Sequence, residues 1–172
     1  KIYRFCIEVA IRAKKYNRVT CMKLSISSSS PYQTKSYGKI IGQKLKGGEV
    51  IELKSDLGGG KTTFTHGLAE GINSQDRVAS PTFTISRQYK GSQLNLHHFD
   101  FYRLNDPGLV AHELEEALED DTAVAVIEWA EIVQDVLPES RLILNFVVTN
   151  DQQRQILLDF PEELEYLVKD LK

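Results

Sequence analysis

Cysteine is nearly absent from this sequence. Both cysteines, Cys6 and Cys21, fall within the first 21 of 172 residues. Residues 22–172 therefore offer neither a disulfide nor a thiolate zinc cluster. No apolar run approaches the roughly 20 residues that a membrane-spanning helix requires, so a soluble, cytoplasmic protein with no membrane attachment is expected. Basic residues are not in surplus either: the formal charge is −3. A tight grip on nucleic acid through neutralised phosphates is not expected, and any RNA would be held through a partner. The length falls within the range of one domain and suffices to bury a core without staples.

The first 21 residues differ in character from the rest. They carry +5, leaving −8 for the remainder, and the sole methionine, Met22, follows them directly. Glu8 interrupts the apolar stretch Phe5 to Ile11 and no small-residue cleavage site follows, which speaks against a secretory signal. The expectation is a leader over 1–21, non-native or disordered, and a single folded domain over 22–172.

Within that domain the pattern alternates between strand and helix signals. Leu24 and Ile26 alternate with serines as in a short strand. Ser30-Pro31 reads as N-cap and first helical position, and Tyr37, Ile40, Ile41 and Leu45 follow at helical spacing up to Gly47-Gly48. Glu49 to Lys54 is a strand that runs directly into Ser55-Asp56-Leu57-Gly58-Gly59-Gly60-Lys61-Thr62. Phe64, Leu68 and Ala69 then mark a second helix. Thr82 to Tyr89 and Leu94 to Tyr102 flank the turn Lys90-Gly91-Ser92 as a predicted hairpin. Asp106-Pro107 opens an acidic helix containing Leu109, Val110, Leu114 and Leu118. Val124 to Ile127 is a continuous apolar strand ending in Glu128-Trp129. Leu142 to Val148 and Gln155 to Phe160 are further strands, and Pro161 to Leu171 is predicted as a closing helix. The fold class is α/β, a P-loop NTPase-like domain with a central, mostly parallel sheet flanked by helices and extended by antiparallel hairpins.

The strand, glycine loop and helix at 49–72 form a phosphate cradle. Small residues let successive backbone N–H groups converge on an anion, at a helix N-terminus whose dipole already favours negative charge. Lys61 would reach the β- and γ-phosphates of a nucleotide, and the Thr62 hydroxyl would ligate Mg²⁺. An ordinary glycine-rich turn would explain Gly58 to Gly60, but neither the Lys61-Thr62 pair nor its placement after a strand. A magnesium nucleotide site also calls for a carboxylate at the end of a neighbouring strand. Glu128 ends a strand that reads as buried and is the better metal partner; Asp100 becomes a second acid near the γ-phosphate or its attacking water. His97 and His98 are adjacent, so on a strand they face opposite ways and cannot share one metal; at most one is functional. Trp129 reads equally as core or as a stacking surface. The acidic run Glu113 to Asp121 reads as a solvated helix face. No Asn-Lys-x-Asp guanine signature follows the loop, which disfavours GTP.

Four segments, taken together, resemble the TsaE (YjeE) family. They are Ser55 to Phe64, Ser80-Pro81-Thr82-Phe83-Thr84, His98-Phe99-Asp100-Phe101-Tyr102-Arg103-Leu104 and Ile127-Glu128-Trp129. Their order and separations match over about residues 22 to 160. The resemblance implies an ATPase that binds a TsaD–TsaB complex and, by binding and hydrolysing ATP, lets that complex turn over while it places threonylcarbamoyl on adenosine 37 of tRNAs reading ANN codons. It further implies that Leu57, Gly58, Gly59, Gly60, Lys61 and Thr62, with the adjoining Thr63, contact the phosphates of ATP. Thr62 and Glu128 would hold Mg²⁺, Asp100 would be needed for hydrolysis, and Lys61, Asp100 and Glu128 form the catalytic set. Ser80, Pro81, Thr82 and Phe83 would be a switch-like loop facing nucleotide or partner, with Trp129 beside the site. The start of the first helix, about Pro31 to Thr34, and Arg154, near the last hairpin, would lie towards the base. The chain departs from the family pattern at Ser55 for the usual glycine, Gly59 for the usual alanine, and His66 where a basic residue or glutamine is commoner.

Two other functions fit a P-loop. A small-molecule kinase would need an acceptor pocket and usually an arginine-rich lid; between Thr62 and Glu128 only Arg77, Arg87 and Arg103 occur, not clustered. A non-hydrolysing nucleotide sensor would bind ATP without turnover.

Overall fold

The structure is a computed structural model that describes residues 21–104 and 108–171. The expected leader therefore lies outside the described residues except for Cys21, which begins the first strand. The predicted helix start at Asp106-Pro107 also lies outside them.

One seven-stranded sheet organises the domain. Its strands are β1 (Cys21–Ser28), β2 (Val50–Lys54), β3 (Ser86–Lys90), β4 (Asn95–Asp100), β5 (Ala123–Glu128), β6 (Leu142–Val148) and β7 (Arg154–Pro161). Their spatial order is β1-β7-β6-β2-β5-β4-β3. The four central strands β6, β2, β5 and β4 are parallel. The pairs β3–β4, β6–β7 and β1–β7 are antiparallel and extend the sheet at both sides. This is the mixed architecture expected from the sequence. The helices are α1 (Pro31–Gly42), α2 (Lys61–Gly71), α3 (Gly108–Glu119) and a single turn, α4 (Glu165–Val168). Among the described residues no helix is long and apolar enough to cross a membrane.

The apolar run of β5 is buried because both faces of the strand are covered. Its alternation divides it between two cores. Val124 and Val126 join Ile51, Leu53, Phe64 and Leu68 beneath α1 and α2. Ala125 and Ile127 join Val50, Phe99 and Leu114 on the α3 side. α1 lies so close to α2 that a Cβ on Gly38 would overlap the Phe64 carbonyl oxygen, and one on Gly42 that of Leu68. Only glycine permits this approach, which fixes the start of α1 beside the glycine loop.

Three predicted boundaries are corrected. α1 stops at Gly42 rather than continuing to Leu45, because Lys44 N–H and Leu45 N–H turn to the carbonyls of Ile41 and Gly42, three residues back, and tighten the last turn. β3 begins at Ser86 rather than Thr82, because Thr84 N–H and Ile85 N–H both bond the Pro81 carbonyl and close a turn instead of a ladder. The closing helix is a 3₁₀ turn (Glu162–Leu164) followed by α4. Pro161 is still paired in the sheet, opposite Cys21, so the helix starts later.

Candidate nucleotide site

Ser30 caps α1 as expected, its hydroxyl accepting from Gln33 N–H at 3.2 Å, with Pro31 at the first helical position. β2 delivers the chain to the loop at Ser55, and α2 begins at Lys61 with Gly60 as its N-cap. Gly60 has φ +112° and Gly58 φ +78°, conformations that favour glycine. Among the described residues no side chain caps α2, so its positive end faces the loop cavity.

The two acids reach the same place by strand register. β4 and β5 run parallel with Asp100 opposite Glu128. Both strands end there, and both carboxylates are buried, at 3% exposure. A cavity of about 250 Å³ is lined by Leu57, Gly58, Gly59, Gly60, Lys61, Thr62, Thr63, Ser80, Thr82, Asp100, Glu128 and Trp129. Every loop residue expected to contact phosphate thus faces one space together with both acids.

Lys61 is 6% exposed. Its ammonium donates to Ser55 O and Ser55 Oγ, both at 3.1 Å, and to Asp56 O at 3.4 Å. It stands 3.6 Å from Glu128 Oε2 and 5.1 Å from the centre of the Trp129 ring. Trp129 takes the left-handed conformation, φ 57°, unusual for a bulky residue. This sharp turn after β5 brings the indole over the lysine, so Trp129 lies in the site wall, where sequence left core and stacking equally open. Tyr102 packs on its ring at 4.8 Å.

Asp100 ties the Ser80–Phe83 segment to the site. Asp100 Oδ2 accepts from the hydroxyls of Thr82 and Ser80, and Oδ1 accepts from Tyr102 N–H at 3.1 Å. Phe83 is 83% exposed, with the Arg103 guanidinium 4.5 Å above its ring. Ile85, which closes this segment, has φ 68°; for a β-branched residue that is a strained position, of the kind that persists at switch regions.

The outer expected residues divide. Arg154 reaches the loop, donating through Nε to Gly59 O at 3.0 Å and through Nη2 to Gly58 O at 3.4 Å. It also lines a polar cavity with Ser27, Ser28, Ser29, Gln33, Thr149, Gln153 and Gln155, between the end of β1, the start of α1 and the β6–β7 turn. Pro31 is exposed and lines neither cavity; its neighbour Thr34 lies closer, with Cγ2 3.8 Å from where a Gly60 Cβ would be.

One residue gains a definite place that adjacency alone did not give. His98 is fully buried, and its Nε2 lies 2.9 Å from Glu128 Oε1. Towards an ionised carboxylate, which only accepts, Nε2 would be the donor; among the described residues Nδ1 is buried without a hydrogen-bond partner. His97 points the other way, half-buried against Gln88, and burial lowers its pKa below the ordinary imidazole value. The signal that singles out His98 is its even spacing from Asp100, which puts both on the face of β4 that carries the loop.

The Thr62 hydroxyl and the Glu128 carboxylate are hard oxygen donors and fit magnesium, with the Asp100 carboxylate beside them. Among the described residues no cluster of three or more His, Cys, Asp or Glu could hold a metal by itself. An ion here would draw its remaining ligands from phosphate and water, as Mg²⁺ does.

The chain is similar to known proteins over most of its length. The profile of the family described as "Threonylcarbamoyl adenosine biosynthesis protein TsaE" matches residues 28–156. The tRNA threonylcarbamoyladenosine biosynthesis protein TsaE of Bacillus subtilis is 38% identical over 131 residues, covering 74% of this chain and 79% of that protein. The protein of the same name from Treponema pallidum is 37% identical over 140 residues, covering 75% and 95%. The crystal structure of Bacillus subtilis YdiB superposes with a TM-score of 0.74 at 33% identity, covering 88% of this chain and 95% of that one.

Proposed function

The chain belongs to the TsaE family of threonylcarbamoyl adenosine biosynthesis proteins, and from that premise we propose that it is a magnesium-dependent ATPase serving tRNA threonylcarbamoyladenosine formation. In this reading it acts in the cytoplasm as the accessory of a TsaD–TsaB complex, and tRNA is engaged only through that complex. The observation that carries the proposal is the convergence of Lys61, Thr62, Asp100 and Glu128 on one cavity at the N-terminus of α2.

The residues divide the work by chemistry. Backbone N–H groups of Gly58 to Thr63 receive the phosphate oxygens, and Lys61 leaves its loop carbonyls to offset charge on the β- and γ-phosphates. Thr62 and Glu128 would hold Mg²⁺, which neutralises phosphate charge when bound. His98 keeps one Glu128 oxygen engaged and so fixes how the other is presented. Asp100 orients the attacking water and accepts its proton. Because the hydroxyls of Ser80 and Thr82 rest on Asp100, any change there at the γ-phosphate is passed to the strained segment ending at Ile85 and to the exposed Phe83, where a partner would sense it. The base would lie towards Arg154 and the polar cavity beside α1.

ATP turnover measured alone and with TsaD and TsaB homologues tests this reading. The expected result is slow hydrolysis alone, faster hydrolysis with the complex, and repeated tRNA modification only when all three proteins and ATP are present. Phosphate transfer to a small acceptor would instead support a kinase, and ATP binding without turnover in either setting would support a sensor.

A further inference from the structure

Among the three loop glycines, Gly59 is small for a different reason from its neighbours. Among the described residues a Cβ at Gly58 would meet nothing within 4 Å, and one at Gly60 only Thr34 Cγ2 at 3.8 Å. Those two positions call for glycine because of their positive φ. Gly59 has no such conformation, but a Cβ there would overlap Ser55 Oγ and lie 2.5 Å from Ser55 Cβ. Rotating the serine relieves the first contact only. Its Cβ is fixed by the backbone, so any larger residue at 59 must displace the loop itself.

Ser55 also touches the lysine. Its hydroxyl has one hydrogen and donates it to Asp56 O at 2.9 Å, so towards Lys61 Nζ, 3.1 Å away, it is an acceptor. The side chain thus fills the space beneath residue 59 and gives the ammonium a fixed partner. We propose that Ser55 is a positioning residue of the loop and that Ser55 and Gly59 are one coupled unit, the side-chain volume omitted at 59 being supplied from 55. The effect on nucleotide rests on the ATP-binding reading above; the steric coupling does not.

A double-mutant cycle tests the pair, using wild type, Ser55→Gly, Gly59→Ala and the double variant, with Ser55→Ala/Gly59→Ala as the control that keeps the serine Cβ. Thermal midpoint is measured without nucleotide, and Mg-ATP affinity by calorimetry. Gly59→Ala alone is expected to lower the midpoint by about 3 °C or more and weaken Mg-ATP by about tenfold or more, the scale of overpacking a tight site. The Ser55→Gly/Gly59→Ala variant is expected to recover to within about threefold of wild type, while Ser55→Ala/Gly59→Ala stays impaired. Ser55→Gly alone is expected to weaken Mg-ATP about threefold, from one lost acceptor for Lys61 and added loop freedom. Additive effects, or a harmless Gly59→Ala, would overturn the coupling, and unchanged affinity in Ser55→Gly would overturn the hold on Lys61. If wild type failed to bind Mg-ATP, the ATP reading would fall by itself. The thermal cycle would still decide the coupling: rescue of the midpoint supports it and additivity refutes it.

Discussion

Glu52 and Glu128 lie on neighbouring strands of one sheet and are almost equally hidden, at 1% and 3% exposure, yet their surroundings differ in kind. Glu52 faces the α3 side. Both its oxygens are engaged by protein: Arg141 Nε at 2.8 Å, Lys54 Nζ at 3.0 Å and Gln134 Nε2 at 3.2 Å. Burial by itself would raise its pKa, but the hydrogen bonds from Arg141 and Lys54 hold it below the ordinary carboxylate value. Glu128 faces the loop. It has His98 on one oxygen and a lysine 3.6 Å from the other, itself bonded mainly to loop oxygens, and it opens on a cavity. Burial of a charge therefore does not mark a site. A carboxylate whose partners are complete is structural, and one that still faces a polar space is available to a ligand.

The comparison breaks first at Arg141. Arg141→Ala is expected to take from Glu52 its main partner in a buried setting, with Lys54 and Gln134 remaining, and to cost about 2–3 kcal/mol of stability, with little effect on nucleotide affinity in whatever fraction remains folded. Denaturant unfolding beside nucleotide titration separates the two quantities. A stable variant with impaired nucleotide binding would reverse the roles assigned to the two sides of the sheet.

On the other side the effects should fall on chemistry rather than stability. Asp100→Asn is expected to lower ATP turnover by about 10²-fold while Mg-ATP affinity stays within a few-fold, as when a positioned acid–base group is lost. Glu128→Gln is expected to weaken the magnesium dependence of binding as well as turnover. Binding measured with and without Mg²⁺, next to initial rates, distinguishes these; the opposite pattern would exchange the two acids. His98→Ala should act through Glu128 and raise the Mg²⁺ concentration needed for half-maximal nucleotide binding by about tenfold, the usual scale for a residue that orients a metal ligand. An unchanged magnesium requirement would make His98 a packing residue only.

The parts of this contrast differ in how far sequence discloses them. Lys61 and Thr62 declare themselves because the chemistry, the glycines and the strand before them are contiguous. Glu128 is legible because it ends a continuous apolar strand and Asp100 because it ends an alternating one, and the P-loop supplies a reason for acids there. Glu52 carries no such mark: its partner Arg141 lies 89 residues away, and pairing over that distance depends on β2 and β6 lying side by side. The same holds for His98 with Glu128, 30 residues apart. The turn at Pro81 to Ile85 reads as strand by composition, since Thr, Phe and Ile favour strands, but hydroxyl bonds from Ser80 and Thr82 to Asp100 override that preference.

The smallest expected effect concerns acid. A carboxyl whose folded pKa is depressed contributes stability that is fully present above its unfolded pKa, about 4.3 for Glu, and lost as pH falls through the lower folded value. The thermal midpoint of wild type should therefore fall more steeply below about pH 4 than that of Glu52→Gln. Parallel curves would remove Glu52 from the acid response.

The most direct measurement is a calorimetric titration of ATP, with and without Mg²⁺, into wild type and Lys61→Ala. Saturable, magnesium-enhanced binding to wild type is expected, with at least about a hundredfold loss in Lys61→Ala, whose thermal midpoint should stay within a few degrees because the lysine bonds mainly to its own loop. Equal ATP affinity in the two proteins would contradict the assignment of this cavity as a nucleotide site.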